Sequence, residues 1–182
     1  LRLLFVLSQS YDVTLMNPPF GMLRKIPKTV KSYIDDKYKY APEYSITVFE
    51  QVERLSKPGG RVAMLVPRSF MFKKTFEKFR VEFITEKSVF DVLAEYGLGV
   101  LDNATVRTVG TVIRTGVERN DNFEGLFYRL HDAKDKEEKY LRTAFSESKE
   151  EKVERTFQKR MSQFSKVPGS PLSYWIPENI RD

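Results

Sequence analysis

The residues with the clearest chemical potential are Asn17-Pro18-Pro19-Phe20, set directly behind Tyr11-Asp12-Val13-Thr14-Leu15-Met16. Each proline holds φ near ~−65° and offers no N–H. Asn17 and Pro18 both precede a proline, so both are pushed toward extended backbone. The Asn17 side-chain oxygen and the Pro18 carbonyl oxygen are therefore two acceptors in a nearly fixed relation. Phe20 adds a flat face just beyond the second proline. Paired acceptors beside an aromatic plate suit a flat ring bearing an amino group. Adenine and cytosine qualify, and so does a glutamine amide if stacking is dropped. Accepting both amino hydrogens favours a more tetrahedral nitrogen and frees its lone pair to attack an electrophilic methyl group. Such catalysis is positioning plus electrostatic preorganisation, with no covalent intermediate. The plainer alternative is a turn that merely ends a strand, because asparagine and proline punctuate chains generally.

These residues need a scaffold. Tyr11–Met16 reads as a buried central strand, apolar on both faces in its second half. Leu1 to Gln9 reads as the end of a helix. Gly21 to Tyr40 reads as a long loop with a short helix near Lys28 to Asp35. It interleaves Arg24, Lys25, Lys28, Lys31, Lys37 and Lys39 with Tyr33, Tyr38 and Tyr40. That mixture suits a phosphate backbone and unstacked bases, and it equally suits a solvated loop. A helix opens at Ala41-Pro42-Glu43, with Ile46, Phe49, Val52 and Leu55 as its buried stripe. Lys57-Pro58-Gly59-Gly60 stops it.

Arg61 to Val66 is a second strand, ending at Pro67 before Arg68-Ser69-Phe70. Lys73 to Thr85 predicts a helix with Phe76, Phe79 and either Phe83 or Ile84 inward. Val89–Glu95 and Val106–Arg114 follow as strands, the last fitting an antiparallel hairpin partner. The order predicts an α/β fold, a mostly parallel sheet with helices on both faces. Ligands in such sheets lie beyond the carboxyl ends of strands. Asn17–Phe20 and Pro67–Phe70 both occupy such ends and converge on one crevice.

After Thr115 the composition changes. One short strand, Leu126–Leu130, precedes two charged helices over Lys136–Phe145 and Lys149–Phe157. Pro168–Leu172 reads as a linker-like break, and Ser173-Tyr174-Trp175-Ile176-Pro177 as an isolated aromatic patch. The expected division is a catalytic part at 1–116 and a charged helical connector at 117–182.

The net charge of +6 and pI near 9.4 permit an acidic partner such as nucleic acid. The absence of cysteine excludes disulfides, thiolate nucleophiles and zinc–thiolate sites. The single histidine, His131, reads as a surface residue, and no metal site is expected. No run approaches the ~18 apolar residues of a spanning helix, and no signal peptide is recognisable. No membrane partner is expected, and a cytoplasmic setting is expected. The chain opens on Leu1 rather than Met, which reads as a fragment or processed piece.

The segments just quoted resemble the amino-methyltransferases, whose hallmark is Asn/Asp/Ser-Pro-Pro-aromatic. More narrowly they resemble the PglX-like adenine-specific DNA methyltransferases of BREX phage-defence systems and the related fused restriction-modification methylases. Leu7–Val13 leading into Asn17–Phe20 carries the likeness. So do Arg61–Leu65 with Ser69–Phe72 and Phe76–Arg80, Phe127–Leu130 with Asp135–Lys139, and Pro168–Pro171 with Tyr174-Trp175. The resemblance implies a partial Rossmann-like S-adenosylmethionine-dependent methyltransferase fold. It implies site-specific DNA adenine-N6 methylation with S-adenosylmethionine as cofactor. The implied partners are double-stranded DNA with a flipped adenine and other defence-system subunits.

Carried over by resemblance, Asn17 and Pro18 accept from the adenine amino group and edge the cofactor site. Pro19 completes the turn, and Phe20 stacks on the base. On the same reading Arg24, Lys25, Lys28, Arg68, Ser69, Phe70, Lys73 and Lys74 contact nucleic acid, and Gly97–Arg114 backs the base. Three departures stand out. The family's glycine-rich cofactor motif and its ribose-binding acid are not in this sequence, and both would lie upstream of Leu1. A target-recognition domain would lie downstream of Asp182. In the late strand, Thr108, Gly110 and Thr111 stand where the family suggests an aromatic. Two other functions fit the same residues: methylation of a protein glutamine amide, and a non-catalytic module binding DNA or protein.

Overall fold

The computed structural model describes residues 2–20, 26–40, 43–101, 105–117, 123–145 and 155–177. Helix α1 (Arg2–Leu7) leads into strand β1 (Tyr11–Met16), and helices α2 (Lys28–Lys37) and α3 (Tyr44–Leu55) follow. Strand β2 (Ser56–Pro67) ends in a 3-10 turn, Arg68–Met71. A second 3-10 turn (Lys74–Phe76) and a π-helical segment (Phe79–Thr85) precede strands β3 (Ser88–Gly97) and β4 (Thr108–Thr115). Strand β5 (Glu124–Arg129), helix α4 (Lys136–Phe145), strand β6 (Thr156–Arg160) and helix α5 (Met161–Ser165) complete the order. Among the described residues no helix is long and apolar enough to cross a membrane.

The strands form a six-stranded sheet in the order β1-β2-β4-β3-β5-β6. β1 runs parallel to β2, and β3 runs parallel to β5. β4 lies antiparallel between β2 and β3. Hence β1, β2, β3 and β5 share one direction and present their carboxyl ends along a single edge. The fourth strand is thus an antiparallel partner of the third, as expected of a hairpin. It is also inserted beside β2, which its sequence did not show.

One face carries the core. Val62, Met64 and Val66 of β2, Val109 and Ile113 of β4, and Phe90 and Leu93 of β3 are all buried. They meet Ile46, Phe49 and Val52 of α3, each no more than 1% exposed. The region expected as one helix over Lys73–Thr85 instead tightens to 3-10 and then widens to π geometry. The wider turn lets Phe79, Phe83 and Ile84 all face inward, with Phe79 and Phe83 stacked at 5.1 Å. Burying a side chain of this size stabilises by about 1.5–3 kcal/mol.

Several sequence-based expectations are corrected. β1 is the edge strand of the described sheet rather than a central one. It pairs with β2 alone, and Val13 and Leu15 are 64% and 81% exposed. Beyond residue 116, strands β5 and β6 continue the same sheet as β1–β4. The charged helix expected over Lys149–Phe157 gives way to strand β6 at Thr156, and residues 149–154 lie outside the described residues. Pro168–Leu172 is a docked corner rather than a linker: the Leu172 N–H donates to the Met71 carbonyl over 2.9 Å. The aromatic patch is not isolated either, since Tyr174 is fully buried and stacks on Phe127 at 5.2 Å.

Arg80 locks that corner. It is 2% exposed, and the Glu77 charge acts on it without closing an ion pair. Its guanidinium donates to four backbone carbonyls, those of Phe70, Lys73, Gly169 and Ser170, over 2.7–3.1 Å.

Candidate active site at the carboxyl edge of the sheet

The turn Asn17–Phe20 leaves β1 at this edge. Asn17 and Pro19 are exposed, Pro18 is buried and Phe20 is half-buried. The turn is thus anchored through Pro18, while Asn17 projects. Alternation along the strand puts Leu15 and Asn17 on the same side of the sheet. This side is opposite the core, and it bears a trough of about 440 Å³. Leu15, Leu65, Val92, Tyr96, Val112 and Tyr140 line it, with Asn17 at its end.

An aromatic does stand over β4, and it comes from β3. The Tyr96 ring covers Gly110, where an added Cβ would meet the ring at 2.9 Å. Only glycine leaves that space. Tyr96 makes an edge contact with Tyr140 of α4 at 6.3 Å.

The second predicted wall is the Arg68–Met71 turn. Here the structure redistributes the roles. Phe70 is 1% exposed and packs on Phe49 and Phe79, so it supports the turn and faces no ligand. Arg68 forms an ion pair with Glu95, Nε to Oε1 at 2.6 Å, and lies over the rings of Phe72 and Trp175 at 4.6 and 5.8 Å. Its charge is already matched. Ser69 donates to Glu43 Oε2 at 3.4 Å, and Lys73 Nζ lies 3.9 Å from Glu43 Oε1. Burial at the start of α3 raises the Glu43 carboxyl above its usual range, against the opposing pull of Lys73 and Ser69. Lys28 and Lys74 are exposed, while Arg24 and Lys25 lie outside the described residues.

The basic helix α2 is tied down behind this edge. Glu50 of α3 accepts the backbone N–H groups of Lys39 and Tyr40. Tyr40 donates to Glu82, and Lys39 pairs with the same carboxylate. Burial beside Glu82 pushes the Tyr40 hydroxyl up to about 12.

The sequence reading missed Glu95. This carboxylate is 2% exposed at the end of β3 and joins three elements. Oε1 faces Arg68 of the β2 turn, and Oε2 accepts the Tyr174 hydroxyl at 2.7 Å. His131 Nδ1 stands 4.0 Å from Oε1. The usable signal was an acidic residue in the run Val89–Glu95 at a position that alternation turns inward. His131 is not a plain surface residue either, because Gly97 (φ +75°) lets the 131 backbone approach so closely that an added Cβ would sit 2.7 Å from His131 Cβ. Burial and the Glu95 charge both raise the Tyr174 hydroxyl far above its ordinary value. Tyr174→Phe removes the donor and leaves Oε2 buried. It is expected to cost about 2 kcal/mol, read as a lower urea midpoint with an unchanged fold; an unchanged midpoint would dismiss the Glu95 hub as a stabilising feature.

Comparison with known proteins agrees with this architecture. Residues 4–97, more than half of the chain, match the family of Eco57I restriction-modification methylases. The chain is 27% identical over 177 residues to the adenine-specific methyltransferase PglX of Lacticaseibacillus casei (strain Zhang). That match covers 93% of this chain but 14% of the relative, so the chain spans about a seventh of the relative's length. Among solved structures, a chain of a type I R-M system superposes with TM-score 0.68 at 17% identity, covering 94% of this chain and 38% of that one. The type I restriction-modification methyltransferase subunit of Streptococcus thermophilus gives 0.61 at 15% identity, covering 92% and 38%. The shared fold is the Rossmann-like one of S-adenosylmethionine-dependent methyltransferases, represented here in part.

Proposed function

This chain belongs to the Eco57I restriction-modification methylase family, and from that premise we propose that it is the base-binding part of a DNA adenine-N6 methyltransferase of restriction-modification or BREX-type phage defence. The observation that carries the reading is Asn17-Pro18-Pro19-Phe20 at the carboxyl end of a parallel strand, with Asn17 exposed at the rim of a trough. A duplex base must leave the stack before its amino group can be reached, at a cost of a few kcal/mol. On this reading Phe20 stacks on the extruded adenine and offsets part of that cost. The Asn17 side-chain oxygen and the Pro18 carbonyl accept the two amino hydrogens and aim the nitrogen lone pair. These oxygens are preorganised, so no reorganisation is needed at the moment of transfer.

S-adenosylmethionine supplies the electrophilic methyl group when bound. The residues present fit only the rim of a site for it, at Asn17 and Pro18, since the sequence holds no glycine-rich cofactor loop. Exposed Lys28, Lys73 and Lys74 face solvent, where a phosphate backbone would pass.

The test uses the full-length protein with methyl-labelled S-adenosylmethionine and duplex DNA. Label is expected in N6-methyladenine. Label in a protein glutamine amide would move the substrate to protein, and no transfer to either would reduce the chain to a binding module.

A further inference from the structure

A second polar site lies further along the same edge, where β5 ends. Arg129, His131, Asp132 and Arg155 line a cavity of about 230 Å³. Arg155 reaches Asp132 at 2.5 Å, and this pair cancels its own charge and holds the Asp132 carboxyl below its usual range. Glu95, next to Arg129 in register, is matched by Arg68. Arg129 is different. It lies over the Trp175 ring at 5.3 Å, and no carboxylate pairs with it among the described residues. His131 lines the pocket too, although its buried Nδ1 is turned toward Glu95 Oε1 at 4.0 Å rather than into the cavity. Among the described residues the cluster therefore offers a guanidinium fork that no carboxylate pairs with, stiffened by an indole face. That inventory suits a singly charged anion with several acceptor oxygens.

We infer that this pocket binds a backbone phosphodiester of the DNA on which the proposed methyltransferase acts. The inference rests on that reading of the Asn17 site. A phosphodiester carries a single negative charge to meet that fork. Its placement is also consistent with one duplex spanning both sites. Four strand spacings of ~4.8 Å separate β1 from β5, so the pocket stands about 19 Å along the edge from Asn17. That distance corresponds to roughly five or six base pairs of duplex rise, about half a turn.

The experiment measures binding of full-length protein to a duplex carrying its methylation site, and to one of unrelated sequence, at several salt concentrations. Arg129→Gln should reduce the log–log salt slope by about 0.9, the share of one phosphate contact. The affinity lost between about 50 and 200 mM salt then shrinks by roughly 3.5-fold, equally for both duplexes. Arg129→Lys should restore the slope. The KM for S-adenosylmethionine and the thermal midpoint should not move. A neutral methylphosphonate five or six base pairs from the target adenine should abolish the difference between wild type and Arg129→Gln. If wild type binds DNA and the variant keeps its slope, this inference alone fails. If wild type binds no DNA, the methyltransferase reading fails with it. Thermal stabilisation by inorganic phosphate that depends on Arg129, without a change in DNA slope, would assign the pocket to a small phosphorylated ligand and overturn the DNA assignment.

Discussion

Asn17→Ala in the full-length protein is expected to lower the rate of methyl transfer to adenine by about 10²–10³-fold, the loss seen when one preorganised polar contact to the reacting group is removed. The site explains why the effect is confined to chemistry. Asn17 is exposed, so its side chain stabilises no core, and Pro18 is the buried residue that anchors the turn. Two consecutive prolines hold the backbone whatever side chain precedes them. The thermal midpoint and the affinity for S-adenosylmethionine should therefore stay near wild type. The KM for DNA should change little while kcat collapses, because the acceptor acts on the amino group as charge develops there. Asn17→Asp keeps an acceptor at the same place and should recover part of the rate. Wild-type turnover by Asn17→Ala would remove the catalytic role from this turn.

The second large effect is on stability. Arg80→Met keeps most of the side-chain volume but withdraws the guanidinium donors from the carbonyls of Phe70, Lys73, Gly169 and Ser170, of which Lys73 keeps the Phe76 N–H at 3.0 Å. Leaving buried acceptors unpaired costs about 1–3 kcal/mol each, and the whole change is expected to reach about 3–5 kcal/mol. With a urea dependence of about 2 kcal/mol per molar, the midpoint falls by roughly 2 M. Arg80→Lys should rescue only a fraction, since a compact ammonium cannot serve a planar fan of acceptors. The corner at Pro168–Leu172 is held by this fork, so protease sensitivity should rise there first. An unchanged midpoint would show that the four carbonyls find other donors.

Much of the fold could be read from local pattern. The stripe Ile46, Phe49 and Val52 marked α3, and alternation in Val106–Arg114 marked β4. The turn at Asn17–Phe20 was legible because proline restricts its own φ and its predecessor's backbone, whatever surrounds them. The sites that escaped notice share another property. Tyr174 meets Glu95 across 79 residues, and Arg80 meets Ser170 across 90. No local rule links such partners.

The same division explains Arg68 and Phe70. Both stand in a turn that ends a strand, where a basic and an aromatic residue suggest a ligand contact. Only the packed structure sends Phe70 into the core and gives Arg68 to Glu95. By itself the sequence determined the rigid corner with its paired acceptors and the alternation of strands and helices, because backbone sterics and periodicity are local. Tertiary structure alone decided the place of β4 between β2 and β3, the burial of Glu95 and the setting of Arg129 against Trp175, because strand order and side-chain pairing are settled by neighbours distant in the chain.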